Sequence, residues 1–110
     1  MNNYMLYSDQ DGSYVSMMEG IRRKTLVHGE STVLCKFQLD KNTTLPLHSH
    51  PHEQTGFLLS GKLLFTIDGD QREVSAGDSW CIRPDVEHGA QVVEDTVVIE
   101  VFSPVREDYL

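Results

Sequence analysis

The sequence predicts an all-β fold in a single domain, and three observations carry that expectation. Val33, Cys35, Phe37 and Leu39 are apolar at every second position, with Lys36 and Gln38 between them. That is the period of a strand with one buried face. Turn signals built on glycine, aspartate and serine recur about every 8–12 residues, as in a sandwich or barrel. No stretch sustains a helical period. The 110 residues suit one domain, and a 39% apolar share is ordinary for a globular core with a small site.

The elements follow in order. Residues 1–20 carry weak signals, and Asp9-Gln10-Asp11-Gly12-Ser13 reads as a turn or irregular segment. We expect an N-terminal arm over residues 1–20, with packing on a partner subunit as one reading, and a barrel domain over residues 21–110. Phe57-Leu58-Leu59 runs into Ser60-Gly61, a tight-turn signal. Lys62 to Ile67 is a further β-rich run, closed by Asp68-Gly69-Asp70. Glu73 and Val74 lead through Ala76-Gly77-Asp78 to Trp80-Cys81-Ile82. Residues 90–93 and 96–102 complete the set.

Charge and cysteine content narrow the function class. The formal net charge is -8, from 17 acids against 9 bases. Such a surface repels phosphate backbones and anionic membranes, so nucleic acid and membrane are not expected partners. Arg22-Arg23-Lys24 reads as a solvated strand edge. Cys35 and Cys81 match no CxxC pattern and sit in apolar stretches, so both read as buried free thiols. The start lacks a basic region followed by an apolar run, and no stretch approaches the roughly 20 apolar residues of a membrane span. Together these point to the cytoplasm.

Three of the five histidines fall within His48-Ser49-His50-Pro51-His52, followed by Glu53 and Gln54. In an extended chain residues 48, 50 and 54 share one face, because side chains alternate. Two imidazoles and a carboxamide oxygen then point the same way. Imidazole suits zinc, copper, iron and nickel. His88, with Pro84 before it and Gly89 after it, offers a fourth ligand from a distant segment that a barrel can bring across its interior. The candidate metal ligands are therefore His48, His50, Gln54 and His88. Glu53 stands as an alternative to Gln54. His52 reads as an outer-shell or surface residue, and the partnerless His28 as surface. His52-Glu53-Gln54-Thr55-Gly56 is not HExxH, which excludes a zinc-protease helix, and neither GxSxG nor a P-loop occurs.

Pro46-Leu47-His48-Ser49-His50-Pro51-His52-Glu53-Gln54, with Gly61 after it, resembles the first motif of the cupin superfamily. Gly77-Asp78 through Pro84 to His88 resembles the second. The resemblance implies a double-stranded β-helix (jelly-roll) barrel, usually a homodimer, around one divalent metal ion. The ion could be zinc, nickel, manganese, cobalt or iron. The common cupin ligand set includes a glutamate. Gln54 in its place leaves the centre about one charge more positive, which favours an anionic substrate.

The C-terminal stretch from Glu100 to Leu110, with the histidine stretch, is similar to the pectin-degradation cupins of the KdgF type. Members of that group convert cyclic unsaturated uronates to linear keto forms. The resemblance implies a catalytic acid, an aromatic residue and an arginine near the metal, at Glu100, Phe102 and Arg106. Glutamate stands here where the family has aspartate, one methylene longer. From the residues themselves, Glu100 and Phe102 share strand parity and could both face the interior. An inward acid needs a metal, a cation or a task. An outward, solvated Glu100 is the other reading. Arg106 offers a planar fork for a sugar carboxylate, or a salt bridge with Glu107 or Asp108. The leading expectation is an enzyme acting on a small anionic carbohydrate by metal-assisted acid/base chemistry, with Glu100 and Arg106 catalytic and Phe102 and Arg106 in the substrate pocket. A metal-dependent dioxygenase and a non-catalytic ligand-binding cupin are the alternatives.

Overall fold

The computed structural model describes residues 3–110 and contains eight strands. These are β1 (Val15–Met18), β2 (Ile21–His28), β3 (Val33–Leu39), β4 (Thr44–His48), β5 (Glu53–Ile67), β6 (Asp70–Ser75), β7 (Ser79–Ile82) and β8 (His88–Ser103). A single 3-10 turn, Glu107–Tyr109, follows. All strand pairs are antiparallel, in the order β1-β2-β3-β8-β5-β6, with β4 on β8 and β7 on β5. The fold is thus the all-β jelly-roll barrel. No helix among the described residues is long and apolar enough to cross a membrane.

Two long strands build the barrel. The first half of β5 pairs with β7 and the second half of β8, while its second half pairs with β6 and the first half of β8. Strand β8 in turn carries β3 on one half and β4 on the other. Each long strand therefore belongs to both faces of a sandwich and bends between them. The bend lies at irregular register between Leu58 and Leu63. Ser60-Gly61 is accordingly not a hairpin turn. Gly61 holds φ 101° inside the continuous β5, a bulge that uses the same residue chemistry as a turn. Likewise residues 90–93 and 96–102 are one strand, not two.

The expected alternation in β3 is observed: Val33, Cys35, Phe37 and Leu39 are buried and the residues between them are half-buried. They share one core cluster with Val98 and Phe102 of the neighbouring β8, Leu58 of β5 and Ile82 of β7. Burying such a side chain stabilises by about 1.5–3 kcal/mol.

Three further expectations change. Strand β1 lies within the segment expected as an arm and pairs with β2; the arm's first two residues lie outside the described ones. The basic triplet is not a solvated edge, because β2 is flanked by β1 and β3. Arg22 is paired bidentately with Asp40, at 2.8 and 3.2 Å, and Lys24 is buried with its Nζ donating to the Asp9 carbonyl. Cys81 is exposed, since its neighbours Trp80 and Ile82 take the inward positions of β7, whereas Cys35 is buried. Burial pushes the Cys35 thiol up to about 11. An aromatic disulfide reagent at pH 8 should therefore titrate one thiol in the native protein, Cys81, and release Cys35 only on unfolding. Simultaneous reaction of both thiols would contradict this placement.

Candidate metal centre

Strand register builds the site. His48 ends β4 and His88 opens β8, and the two are direct cross-strand partners. Side chains opposite each other in such a pair stand close together, and these rings lie 4.2 Å apart at their centroids. The chain then leaves the sheet between Ser49 and His52, and His50 swings back so that its ring lies 5.0 Å from His88. Strand β5 starts immediately afterwards and turns Gln54 inward. The ligand atoms of His48, His50 and His88 lie within 4.8 Å of one another. Metal–nitrogen bonds of about 2.0–2.1 Å reach a common centre from that spacing with small ring adjustments.

The hydrogen bonds decide what the pocket is suited to hold. The Nδ1 atoms of His48, His50 and His88 lie 2.9, 3.0 and 2.9 Å from the carbonyl oxygens of Pro46, His52 and Val86. A carbonyl only accepts, so Nδ1 of His48 and of His88 carries the proton and Nε2 keeps its lone pair, whereas His50 faces an acceptor oxygen from both ring nitrogens, His52 at Nδ1 and Gln54 at Nε2. The amide nitrogen of Gln54 donates to Glu100, which turns Gln54 Oε1 to within 2.7 Å of His50 Nε2. Lone pairs of His48, His88 and Gln54 thus converge, and His50 joins them when its proton sits on Nδ1. That arrangement suits a cation, and metal-bound imidazoles commonly hold their other ring nitrogen by such carbonyls. Burial lowers the pKa of His88 to about 4 and lowers that of His50, where Arg106 adds to the effect. Both rings are neutral at pH 7 and able to ligate.

A cavity of about 170 Å³ opens above these atoms. His48, His50, Gln54, Glu100, Phe102 and Arg106 all line it, while His88 lies behind, 2% exposed. A cavity of about 150 Å³ accommodates benzene, so this one has room for a single ring and not for a polysaccharide. Glu100 is buried and faces inward. Its Oε2 accepts from Gln54 and from Trp80 Nε1 at 3.2 Å, which leaves Oε1 unengaged. Burial raises its carboxyl to about 7, against the lowering effects of Trp80, Gln54 and Arg106.

The Cupin domain family matches residues 35–103, more than half of the chain. This chain belongs to the cupin family. The cupin is 26% identical over 112 residues to the pectin degradation protein KdgF of Dickeya dadantii (strain 3937), covering all of both chains. It is 32% identical over 83 residues to H2HPP isomerase of Bacillus subtilis, which accounts for 74% of this chain but only 35% of that protein. Among solved structures it superposes on KdgF from Halomonas sp. with TM-score 0.91, 28% identity and coverage of 97% and 99%. An RmlC-like cupin from Shewanella frigidimarina NCIMB 400 gives TM-score 0.91, 27% identity and coverage of 97% and 96%. The cupin is thus a small, single-domain member of the KdgF type.

Some candidates of the sequence lie elsewhere in the cupin. Glu53 points away from the cavity, its Oε1 3.9 Å from Cys81 Sγ. His52 contributes its carbonyl to His50 rather than its ring, and His28 is exposed. Arg106 makes the salt bridge that is one of its two readings. It lines the cavity and also donates from Nε and Nη2 to Asp108, at 3.3 and 3.0 Å.

Sequence reasoning missed Trp80 and Tyr109, which also line the cavity. One signal for Trp80 existed. Gly56 is its cross-strand partner, and a Cβ there would lie 2.2 Å from the indole nitrogen. A strand glycine opposite an aromatic is a known packing device.

Proposed function

We propose that this cupin is a metal-dependent enzyme that opens the ring of a small anionic sugar, such as a 4,5-unsaturated uronate, and yields its linear keto form without redox change. One observation carries the reading: His48, His50 and Gln54, a buried carboxyl and a guanidinium all border one cavity of single-ring size, with His88 clustered on the two histidines. A divalent ion held by His48, His50, Gln54 and His88 would supply Lewis acidity to a ring hydroxyl or carbonyl oxygen.

The remaining work falls to side chains. Arg106 has Nη1 unengaged and can pair with the sugar carboxylate. Phe102 and Phe37 wall the cavity and limit water. The free Oε1 of Glu100 would take the proton of the anomeric hydroxyl as the ring C–O bond breaks. That bond's electron pair goes to the ring oxygen, which becomes an enolate. Return of the proton from Glu100 to carbon 4 gives the ketone, so one proton is moved and no oxidant is needed. The names of the two curated relatives, a pectin degradation protein and an isomerase, fit such a reaction class.

The test follows the conjugated enol absorbance of a 4,5-unsaturated uronate after mixing with protein loaded with zinc, nickel, manganese, cobalt or iron. Loss of absorbance well above the buffer rate is expected with at least one metal, and Glu100→Gln should slow it about 100-fold or more. Buffer-rate decay with every metal would discard the reaction.

A further inference from the structure

The chain leaves β8 at Ser103 and ends in a 3-10 turn of only three residues. So short a turn cannot hold itself in place. Yet it carries the arginine that borders the cavity at its N-terminal boundary. Something must fix it, and Tyr109 is the only residue of the turn that is buried.

Tyr109 is fastened on several sides. Its ring packs edge-to-face on Phe102 at 5.3 Å and on Phe37 at 6.1 Å. Its carbonyl oxygen accepts a hydrogen bond from Thr25 Oγ1 of β2. The Arg23 guanidinium, also from β2, lies 4.3 Å from the ring centroid. Arg23 Nε is buried without a hydrogen-bond partner, so the ring is its principal polar neighbour. The barrel therefore holds Tyr109 independently of Arg106.

Arg106 rests on that fixed ring. Its guanidinium carbon lies 3.9 Å from the Tyr109 centroid and 5.1 Å from that of Phe102. The two rings meet at 85°, forming a corner in which the guanidinium sits. Asp108 occupies the Nε–Nη2 edge. Asp108 is largely exposed, and ion pairs with an exposed partner are weak and easily rearranged. The stack on a buried ring is what can define the guanidinium plane.

We infer that Tyr109 is a positioning residue: it fixes the plane of Arg106 so that the free Nη1 side meets the carboxylate of a cavity ligand. The functional half of this inference rests on the proposed reading that Arg106 binds a sugar carboxylate.

The test is Tyr109→Leu, which keeps bulk and removes the aromatic face, with Tyr109→Phe as the conservative rescue. Nitrogen-15 relaxation of the Arg106 Nε–H reads the effect without any turnover. Wild type and Tyr109→Phe should show an order parameter near the ~0.85 of rigid groups, and Tyr109→Leu should fall below ~0.6. KM for the unsaturated uronate should rise about tenfold in Tyr109→Leu with kcat within about threefold, the signature of lost uniform binding. An Arg106 Nε as rigid in Tyr109→Leu as in wild type overturns the inference. Should Tyr109→Leu not fold, Thr25→Val cuts the carbonyl hook, with the 3.9 Å contact to Cys35 Sγ, and should lower the same order parameter, and an unchanged value there is equally fatal. If wild type leaves the uronate untouched, the proposed reaction falls while the Nε measurement still decides the role of Tyr109.

Discussion

Protein carrying His50→Ala should retain less than about one hundredth of the wild-type metal affinity. Removing an outer-shell partner of a metal site already costs about 10–100-fold, and His50 is offered here as a direct ligand. The residue is 8% exposed, and its ring lies 5.8 and 5.0 Å from those of His48 and His88 and faces Gln54 Oε1 at 2.7 Å. Truncation opens one corner of the acceptor set and frees Gln54 as well. The loss should not unfold the barrel, because the space vacated is polar and open to the cavity, where water can enter. Elemental analysis of protein purified without a histidine tag, together with competition against a chromophoric chelator, reads the effect. Turnover should fall to the level of chelator-treated wild type. His28→Ala is the control, since His28 is exposed and its ring contacts only the adjacent Gly29 carbonyl. Equal metal content in wild type and His50→Ala would remove the proposed centre, whatever activity the protein had.

The reason this site could be read from sequence differs from the reason it exists. Parity along one extended strand suggested that residues 48, 50 and 54 share a face. The strand is in fact broken between β4 and β5: His48 ends β4 opposite the start of β8, Gln54 opens β5 opposite the end of β8, and His50 in the connection meets both His88 and Gln54. The deeper local signal lay in the residues two positions away. Pro46, His52 and Val86 each present a carbonyl to a histidine two residues distant, which sets the tautomers of His48 and His88 and anchors Nδ1 of His50. Such i±2 hooks depend on local turns and leave no mark in hydrophobic periodicity.

Where one face was buried and the other wet, the alternation in β3 was legible, because a register error would expose the whole apolar set. The inward parity of Glu100 and Phe102 was legible for the same reason. The partners of Tyr109 were not. They come from Arg23 and Thr25, more than eighty positions earlier, and no local pattern announces them. Lys24 was misread similarly: the segment around Asp9 covers it, which turns an apparently solvated lysine into a buried one.

The same long-range blindness explains Gly61, and there the structure predicts a large effect on stability. Gly61→Ala should cost about 2–5 kcal/mol. About 1–2 kcal/mol comes from forcing a Cβ onto a left-handed backbone, φ 101°, and roughly 1–3 more from overpacking. The added Cβ would stand 2.3 Å from Thr96 Oγ1, 2.4 Å from the Asp95 carbonyl oxygen and 2.6 Å from Thr96 Cα. Two of those are backbone atoms of β8, so the strand itself must move. The third is a hydroxyl that ties the corner together, accepting from the Lys62 amide at 3.0 Å and donating to the Glu94 carbonyl at 2.7 Å. Against a typical total of about 5–15 kcal/mol, the melting temperature should fall by roughly 10–25 °C. Gly29→Ala is the matched control: nothing lies within 4 Å of its added Cβ, and no change beyond a few degrees is expected. Thermal melts of the two variants side by side decide it, and equal melting temperatures would show that the β5–β8 bend can absorb a side chain. The consequence reaches the metal centre. Gln54 sits at one end of the bent β5–β8 pair, opposite Phe102, and His88 at the other, opposite Ile67. The angle between the two halves therefore sets how far apart their ligands stand. Any Gly61→Ala protein that still folds should also bind metal less tightly, although residue 61 touches none of the ligands.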